Sequence, residues 1–520
     1  MGETFRPIRT IGWMEFRMRM RRNTTVAMLL IVGAIVYLII PDLSTGRSLL
    51  HIGRGRAFYN SAAVALGSAI FCSALISLLG FYVCSSSVRR DLLSRTGFII
   101  SSTPVLNRDY ILGKFSGNFF YLVVIVLTSL ASAMVMFLIR GETTLEPSVF
   151  LVTYAWLVIP SAVFTSAAAI CFEAVPFLSG RVGDVLYFLF WGVVISIPAM
   201  SLPTRTGFEW TDCLDILGLG PLVSHLQAQY KTTSISIGSS EFDPRVPPVV
   251  FNGIRWIFVD AAARICTLVL PALLLVAATF GFHRFNPTRV ASSLRSSKSG
   301  IWSRLNALLK PATRISGTLM GRGNSFPAVI LSDAALTVTL SPLFGIAAIV
   351  VIVLSLTLAT QEVQSTILPL IVVILVMMLA DISARDEASG MQELLSTAPR
   401  IRRNYTFWKF GSALLLTLCL IAGPIFRLFT EPHIAISMIT GGILLAGSAV
   451  SFGILTRSGK LFVAVFLLLL YIGLNAREVA LFDFIGISGR ANPSIQSGYT
   501  ALSALLLFAA GLKQRRKASS

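Results

Sequence analysis

The chain has 520 residues, of which 55% are hydrophobic and 13% are charged, and its formal net charge is +19. A soluble protein of this size cannot cover its surface with so few charged residues, so the composition excludes a soluble globular fold. The positive charge is typical of the basic loops that orient a membrane protein, and no basic patch with aromatic stacking residues indicates a nucleic-acid partner.

Long apolar runs follow one another along almost the whole chain. A helical run of roughly 20 residues rises about 30 Å, which is the thickness of the hydrocarbon core of a bilayer. The sequence therefore predicts an all-α, polytopic membrane protein with about 12 transmembrane helices. The predicted spans are residues 25–41, 61–83, 117–139, 150–175, 183–202, 262–282, 341–359, 366–382, 411–429, 433–455, 461–476 and 499–512.

The cysteine and histidine residues form no recognisable pattern. The four histidines lie far apart at loop edges, and no Cys-x-x-Cys pair is present. Neither a disulfide framework nor a metal site is therefore expected. The six cysteines, most of them in apolar runs, are Cys72, Cys84, Cys171, Cys213, Cys266 and Cys419.

Basic residues near the predicted spans indicate the orientation of the chain. The amino-terminal lead, the loop after the second span and the carboxyl-terminal tail are all basic, which places both termini and that loop in the cytoplasm. The loop with Arg47, Arg54 and Arg56 then lies outside, where it weakens the charge contrast without reversing it. We expect a multi-pass protein of the bacterial cytoplasmic membrane.

A Ser- and Arg-rich stretch, residues 284–326, divides the chain into two sets of six predicted spans. It contains eight basic residues and no acidic residue, which predicts a cytoplasmic linker along anionic headgroups. The predicted domains are an amphipathic elbow segment at 1–24, a first six-helix bundle at 25–283, this linker at 284–326, a second elbow and six-helix bundle at 327–512, and a basic tail at 513–520.

The two halves repeat one cytoplasmic loop. Residues Arg90–Phe115, the first cassette, align without a gap on Arg385–Phe410, the second cassette, at a constant offset of 295. Nine of the 26 positions are identical, which predicts an internal 6+6 duplication with parallel topology. The identical pairs are Arg90/Arg385, Asp91/Asp386, Ser94/Ser389, Ser101/Ser396, Pro104/Pro399, Arg108/Arg403, Tyr110/Tyr405, Lys114/Lys409 and Phe115/Phe410.

Each cassette is longer than a simple connection between two helices requires. An apolar pair is followed by serines and by a proline that stops a helix, which predicts a short helix across the cytoplasmic ends of the spans. The alternative is that basic residues such as Lys114 and Lys409 only anchor the ends of the spans. The apolar pair and the proline are Ile99, Ile100 and Pro104 in one cassette and Leu394, Leu395 and Pro399 in the other.

The second cassette resembles the first cytoplasmic loop of ABC-2 type transporter permeases. The resemblance rests on Asp386-Glu387-Ala388-Ser389-Gly390, on the run from Glu393 to Pro399, and on Arg403 and Lys409. In that family the loop holds the coupling helix that docks on a separate nucleotide-binding subunit. The coupling residues that the resemblance implies are Arg90, Asp91, Ser101, Pro104, Arg108, Lys114, Arg385, Asp386, Glu393, Ser396, Pro399, Arg403 and Lys409.

Two further features agree with this resemblance. Permeases of the family begin each bundle with an elbow helix that carries an acidic residue, and Glu15 and Asp333 occupy that place here. The family also has an external loop that dips into the membrane between the fifth and sixth spans. Residues 203–261 correspond to that loop and are expected to form a folded gate, and residues 477–498 are expected to form a shorter lid.

The resemblance implies the permease subunit of an ATP-driven exporter, and we expect no enzyme activity from the chain itself. The nearest string to a phosphate-binding loop, Gly113-Lys114-Phe115, lacks both the first glycine and the final Ser or Thr. ATP and Mg are therefore expected on a partner, namely two copies of a separate ABC ATPase subunit. The expected cargo is amphipathic or apolar, with a peptide natural product or drug-like molecule ahead of a lipid.

Ionisable residues within the predicted spans are few and lie near the span ends, which disfavours ion-coupled transport. They are Glu173, Asp184, Asp260, Arg264, Asp381 and Arg427. Asp260 and Arg264 are spaced to pair on one helix, and only Glu173 follows a run of small residues that permits close helix contact. The alternative function is a major-facilitator-type secondary transporter, which also has six plus six helices but a shorter charged loop.

Overall fold

The computed structural model describes most of the chain, which forms two compact units, residues 1–290 and 291–520. The described residues are 6–53, 55–178, 180–201, 209–232, 235–254, 257–283, 285, 326–340, 342–391, 399–429, 431–475, 479–490 and 492–519. The predicted linker at 284–326 lies outside the described residues except at its two residues 285 and 326.

The first unit consists of helices and one small sheet. Its helices are α1 (Arg6–Met20), α2 (Asn23–Ile39), α3 (Ser61–Cys84), α4 (Ser87–Leu93), α5 (Thr96–Ser101), α6 (Asn107–Arg140), α7 (Pro147–Ala174), α8 (Arg181–Ser201), α9 (Leu219–Tyr230), α10 (Phe258–Cys266) and α11 (Val269–Gly281). Its strands are β1 (Arg47–Ile52), β2 (Gly55–Arg56) and β3 (Ile235–Glu241).

The second unit is helical in its described part. Its main helices are α12 (Phe326–Leu340), α13 (Pro342–Thr357), α14 (Leu368–Leu379), α15 (Ala384–Ala388), α16 (Pro399–Arg427), α17 (Pro432–Thr456), α18 (Lys460–Asn475) and α19 (Pro493–Ser519). One turn of π-helix, Val363–Ile367, precedes α14. The predicted short helix of the second cassette falls at residues 392–398, which lie outside the described residues.

The long helices are apolar over enough residues to cross a bilayer. Eight helices of the described chain meet this condition, and the count rises to ten if each of two sharply bent helix pairs is one span. The chain is therefore a polytopic α-helical membrane protein. The eight are Ser61–Leu92, Asn107–Arg140, Pro147–Ala174, Phe258–Gly281, Thr360–Glu387, Asn404–Arg427, Pro432–Thr456 and Pro493–Arg515.

The remaining predicted spans have a different form. The bent pairs are Arg6–Met20 with Thr24–Ile39, at 73°, and Phe326–Leu340 with Gly345–Thr357, at 101°. Each pair places a helix at a steep angle to the span that follows, as an elbow does. The predicted spans at 183–202 and 461–476 contain shorter apolar helices, Gly183–Ile197 and Lys460–Leu474. Fifteen residues rise only about 22 Å, which is less than the hydrocarbon core.

A small folded cap lies at the end of the first unit opposite to the cassette. Strand β1 pairs antiparallel with both β2 and β3, so the loop before α3 and the loop after α9 form one sheet. Arg56 of this sheet forms two 2.8 Å bonds with the Glu142 carboxylate, which lies just after α6. Arg47 pairs more loosely with Glu241 at 3.3 Å. Arg47 and Arg56, two of the three arginines that weakened the charge contrast, thus have local carboxylate partners, and Arg54 lies outside the described residues.

A disulfide bond joins Cys213 to Cys266 in this region, so the expectation of no disulfide was wrong. Cys266 ends α10 and Cys213 lies in the short 3-10 helix Trp210–Leu214, 53 residues earlier. Spacing in sequence could not reveal the pair, because the intervening chain folds back through α9 and β3. The four other cysteines are free thiols: Cys72, Cys84, Cys171 and Cys419.

Candidate functional site

The elbow helix of the first unit carries a buried carboxylate that binds three cations. The Glu15 side chain is 1% exposed. Its oxygens lie 2.6 Å from Arg90 Nη2, 2.8 Å from Lys114 Nζ and 2.8 Å from Arg19 Nε. Two of these cations, Arg90 and Lys114, belong to the first cassette, so the carboxylate ties the elbow directly to the cassette.

A second carboxylate completes this cluster from within the cassette. Lys114 Nζ lies 2.7 Å from Asp91 Oδ2, and the Tyr110 hydroxyl donates a 2.7 Å hydrogen bond to the same oxygen. Lys114 therefore bridges Glu15 and Asp91, with only 6% of its side chain exposed. We call Glu15, Arg90, Asp91, Tyr110 and Lys114 the first ion-pair cluster.

The first ion-pair cluster needs the elbow to lie against α6 at close range. A Cβ atom at Gly117 would lie 2.7 Å from Glu15 Cβ, and a Cβ atom at Gly113 would lie 2.7 Å from Ile11 Cβ. Neither distance is found in well-packed proteins, so any larger residue would push the elbow away. Two glycines one turn apart on α6 thus allow the Glu15 carboxylate to reach the cassette.

The second unit builds the same arrangement on its own elbow. Asp333 of α12 pairs with Arg385, and Lys409 Nζ lies 2.9 Å from Asp333 Oδ1. Lys409 Nζ also lies 2.8 Å from Asp386 Oδ2, and the Tyr405 hydroxyl donates a 2.9 Å bond to that oxygen. We call these five residues the second ion-pair cluster. A Cβ atom at Gly411 would lie 2.7 Å from Ile330 Cδ1, so this elbow also packs closely.

The two clusters differ in one reinforcing residue. Arg19, one turn after Glu15, donates to the carbonyl oxygens of Val83 and Cys84 at 2.8 and 2.6 Å and so caps the end of α3. Thr337, one turn after Asp333, has a hydroxyl that accepts a 2.8 Å bond from Arg385 Nη1. The first elbow is therefore tied to α3 as well as to the cassette.

The electrostatics of the first ion-pair cluster favour charged groups. Burial by itself would raise the pKa of the Glu15 carboxyl, but Arg19, Lys114 and Arg90 outweigh burial and lower this pKa from 4.5 to about 2. Glu15 therefore stays ionised at any physiological pH. A buried cluster of this kind is strongly coupled, because loss of any one charge leaves its partners unpaired away from water.

Asp91 and Asp386 are largely buried, so charge reversal at either residue is expected to disturb its ion-pair cluster. The Asp91 side chain is 11% exposed and the Asp386 side chain is 13% exposed. Each accepts from both a lysine and a tyrosine within its cluster. A cation in place of either aspartate would face Lys114 or Lys409 at close range.

The other predicted coupling residues of the first cassette lie away from its ion-pair cluster. Ser101 ends α5, Pro104 follows it, and the side chain of Arg108 is 63% exposed beside Asp109. Short helix α5 forms as predicted, and its Ile99 side chain is 67% exposed. In the second cassette, Glu393 and Ser396 lie outside the described residues, and the side chains of Pro399 and Arg403 are not described.

The first cassette also packs against two aromatic residues that the sequence did not indicate as part of the site. Phe282 and Phe285 follow α11 and pack on the Tyr110 ring, with centroids at 5.0 and 5.7 Å. A Cβ atom at Gly97 would lie 2.7 Å from the Phe285 ring, so α5 rests against this aromatic side chain. Glu173, the intramembrane candidate, accepts a 2.7 Å bond from the Val88 amide and so caps the start of α4.

A matched pair of turns lies at the opposite end of the helices. Asp215 accepts from the backbone amides of Gly218, Leu219 and Gly220, and its neighbour Ile216 accepts a 2.9 Å bond from Ser161 Oγ. Ser161 is near the middle of the 28-residue helix α7. The turn therefore reaches deep between the helices of the first unit.

The second unit has a turn with the same Asp-x-x-Gly pattern, Asp483-Phe484-Ile485-Gly486. The Asp483 carboxylate accepts from the amides of Ser488 and Arg490 at 3.1 and 2.9 Å. Any side chain at Gly441, ten residues into the 25-residue helix α17, would clash with the Phe484 carbonyl. The shared pattern Asp-x-x-Gly, with positive φ at Gly218 and Gly486, was a detectable signal that the sequence analysis missed.

Arg264 of α10 binds the first Asp-x-x-Gly turn and does not pair with Asp260 on its own helix. Arg264 Nη1 donates a 2.9 Å bond to the Asp215 carbonyl, and the Arg264 guanidinium packs directly on Gly218. Asp260, predicted to pair with Arg264, accepts instead from His225 Nε2 at 2.9 Å. The Cys213–Cys266 disulfide lies beside these contacts, so the first turn is held by a covalent bond and a buried cation.

Comparisons with protein-family models, with curated proteins and with solved structures find no match to this chain.

Proposed function

We propose that the chain is the fused two-bundle permease of an ATP-driven ABC-2 type exporter, which works with two copies of a separate ATPase subunit. The observation that carries this proposal is the repetition of one buried ion-pair cluster, which joins an acidic elbow to a cassette in each unit. Two identical docking partners require two similar binding elements, and each unit has such an element, built from the same types of residue at corresponding positions of the chain.

The 6+6 organisation is part of this proposal. Within the described residues, each unit has one bent helix pair, four long apolar helices and one shorter apolar helix, in the same order along the chain. The cassette follows the second of these elements in each unit, and the Asp-x-x-Gly turn follows the fifth. Two halves with this order are expected from one duplicated bundle of six spans.

The cassette is suited to transmit motion because its two faces differ. Its inner face is fixed to the elbow and to the next long helix through Lys114 and Glu15. Its outer face exposes apolar side chains on α5, with Phe98 38% and Ile99 67% exposed. A partner that binds Ile99 would move α5, α6 and the elbow together, since buried ion pairs resist separation.

The proposed orientation places the cassettes and both termini in the cytoplasm and the folded cap outside. The Cys213–Cys266 disulfide supports this orientation, because disulfides persist on the oxidising side of a membrane. The two Asp-x-x-Gly turns then close the outer end of each bundle, the first as a folded gate and the second as a short lid. The proposed cargo is an amphipathic or apolar molecule, with a peptide natural product or drug-like compound ahead of a lipid.

One exposed residue tests the coupling without disturbing the ion-pair cluster. We expect Ile99→Asp to weaken binding of the ATPase by roughly 30-fold, the loss of a central interface residue worth about 2 kcal/mol. Ser102→Asp is the matched control, because Ser102 is exposed on the same loop and gains the same charge. The measurements are co-purification stoichiometry, with two ATPase chains expected per permease, and ATP-driven transport in vesicles.

The outcome can reject the proposal in two ways. A stable permease that transports its cargo without ATP would show that the chain is a secondary transporter. Equal ATPase binding by wild type, Ile99→Asp and Ser102→Asp would show that α5 is not a docking element.

A further inference from the structure

A groove runs along the apolar faces of two helices in the first unit. It has a volume of about 550 Å³ and lies between α2 and α6. Its length from Val124 to Met136 is twelve residues, or about 18 Å. One leaflet of a bilayer contributes roughly 15 Å of hydrocarbon, so the length of the groove is close to the length of one acyl chain along the bilayer normal. Its lining residues are Gly33, Val124, Leu127, Thr128, Ala131, Ser132, Val135 and Met136.

Small and hydroxyl side chains create this groove. A Cβ atom at Gly33 would lie 3.5 Å from Ser132 Oγ, so the two helices lie close together at this point of the groove. Thr128 satisfies its hydroxyl internally by donating 2.9 Å to the Val124 carbonyl. The groove therefore offers an apolar channel that hydrocarbon can fill, and its walls are exposed side chains such as Leu127 and Val135.

Uncompensated positive charge lies below the elbow end of this groove. Arg22, at the junction of α1 and α2, is exposed, and within the described residues no carboxylate lies at ion-pair distance from it. Its near neighbours include Arg19 and Arg90, and the Glu15 carboxylate is already shared by three other cations. Partial burial and the like charges of Arg90 and Arg19 lower the pKa of Arg22.

The second elbow lacks this charge. At the corresponding junction the sequence has Val338, Thr339 and Leu340, whereas the first junction has Met20, Arg21 and Arg22. In the second ion-pair cluster the numbers of positive and negative charges are equal, since Asp333 and Asp386 face Arg385 and Lys409. The excess of cations is thus a property of the first elbow and not of elbows in general.

We propose that this groove and Arg22 form a binding site for one anionic phospholipid of the leaflet that faces the elbow. The phosphate lies at Arg22, where the elbow meets the headgroups, and one acyl chain lies in the groove between α2 and α6. An anionic headgroup with a hydrocarbon chain is the ligand that supplies both the missing negative charge and the apolar filling. Bound there, the lipid stabilises the elbow against α6 and so acts on the first ion-pair cluster.

Native mass spectrometry of the full-length chain in detergent tests the site with phosphatidylglycerol and phosphatidylcholine of equal chain length. Wild type is expected to retain one phosphatidylglycerol at least about fivefold more tightly than phosphatidylcholine, as expected for one cation near a headgroup. Arg22→Gln should abolish this preference. Ser132→Phe should fill the groove and remove binding of both lipids, whereas Leu138→Phe, at an exposed position outside the groove, should change neither.

Other occupants of the groove give different results. Loss of selectivity in Arg140→Gln and not in Arg22→Gln would place the headgroup at the other end of α6 and overturn the proposal. Equal binding of the two lipids by wild type, or unchanged binding by Ser132→Phe, would also overturn it. A dimer that Ser132→Phe dissociates would identify a second copy of the chain as the occupant. Thermal unfolding of each variant checks that it is folded.

Discussion

The lysine that bridges two carboxylates in each ion-pair cluster provides a graded test of how these clusters stabilise the fold. Lys409→Met leaves Asp333 with Arg385 alone, and leaves Asp386 with Arg385 at 3.8 Å. Lys114→Met leaves Glu15 with two cations, Arg19 and Arg90, at 2.8 and 2.6 Å. Asp91 also loses Lys114 and keeps only the hydrogen bond from Tyr110. After Lys114→Met, two cations remain beside the two carboxylates of the first unit, whereas after Lys409→Met one cation remains beside two carboxylates, so Lys409→Met leaves more uncompensated negative charge.

The magnitudes follow from the burial of the partners. Removal of one member of a buried ion pair typically costs about 3–5 kcal/mol, because the remaining charge is left without compensation. We expect Lys409→Met to lie near the upper end of that range and Lys114→Met near its lower end. Lys409 is fully buried and also loses contact with the Trp408 ring, whose centroid lies 4.4 Å from Lys409 Nζ. Arg108→Met, at an exposed position, should cost less than about 1 kcal/mol.

Thermal unfolding in detergent, followed by size-exclusion chromatography of the fluorescently tagged chain, ranks the three variants. For units of this size, 1 kcal/mol corresponds to roughly 2–4 °C in Tm, so Lys409→Met should lower Tm by about 10–20 °C. The refuting result is a Tm that falls equally for Lys114→Met and Lys409→Met, or more for Lys114→Met. The extra cation Arg19 would then not compensate Glu15 as the distances indicate.

Three further predictions concern the cap, the second turn and the elbow. The double variant Cys213→Ser/Cys266→Ser should lose about 4 kcal/mol of stability for a loop of 53 residues, and dithiothreitol should lower Tm in wild type but not in this variant. Gly441→Leu should cost about 1–3 kcal/mol by displacing the Phe484 carbonyl, whereas Gly498→Leu, which has open space at its Cβ, should leave Tm unchanged. The depressed pKa of Glu15 stabilises the fold above pH 4.5, and this contribution is lost as pH falls toward 2, so Glu15→Gln should flatten the acid side of the Tm profile.

The sequence predicted the helices well because hydropathy alone determines which segments enter a bilayer. Eight of the twelve predicted spans coincide with helices long and apolar enough to cross a bilayer, two fall in the bent helix pairs and two contain shorter apolar helices. The cassettes are evident from an ungapped repeat. The ion-pair partners were harder to predict, since Glu15 and Arg90 are 75 residues apart and meet only because Gly113 and Gly117 allow close packing. The disulfide depends on a chain reversal between the fifth and sixth spans, which leaves no periodic signal in the sequence, whereas the Asp-x-x-Gly turns share a pattern that the sequence does contain.

The two units contain similar ion-pair clusters and similar turns, but the first unit holds them with more buried contacts than the second. The first elbow is tied to α3 by Arg19, and the first turn is held by Arg264 and by a disulfide. The second unit has Thr337 in place of the elbow arginine, and Cys419 is its single cysteine, so no disulfide can form within it.

Elements with fewer buried ties open at lower free energy, so binding of the proposed ATPase is expected to rearrange the second unit more than the first. Hydrogen exchange of the assembled complex with and without nucleotide measures this difference. Amides of α12 and of residues 483–490 should change protection more than amides of α1 and residues 215–220. Equal changes in both sets would mean that Arg19 and the disulfide stabilise the first unit without restricting its movement, and that both halves move as one.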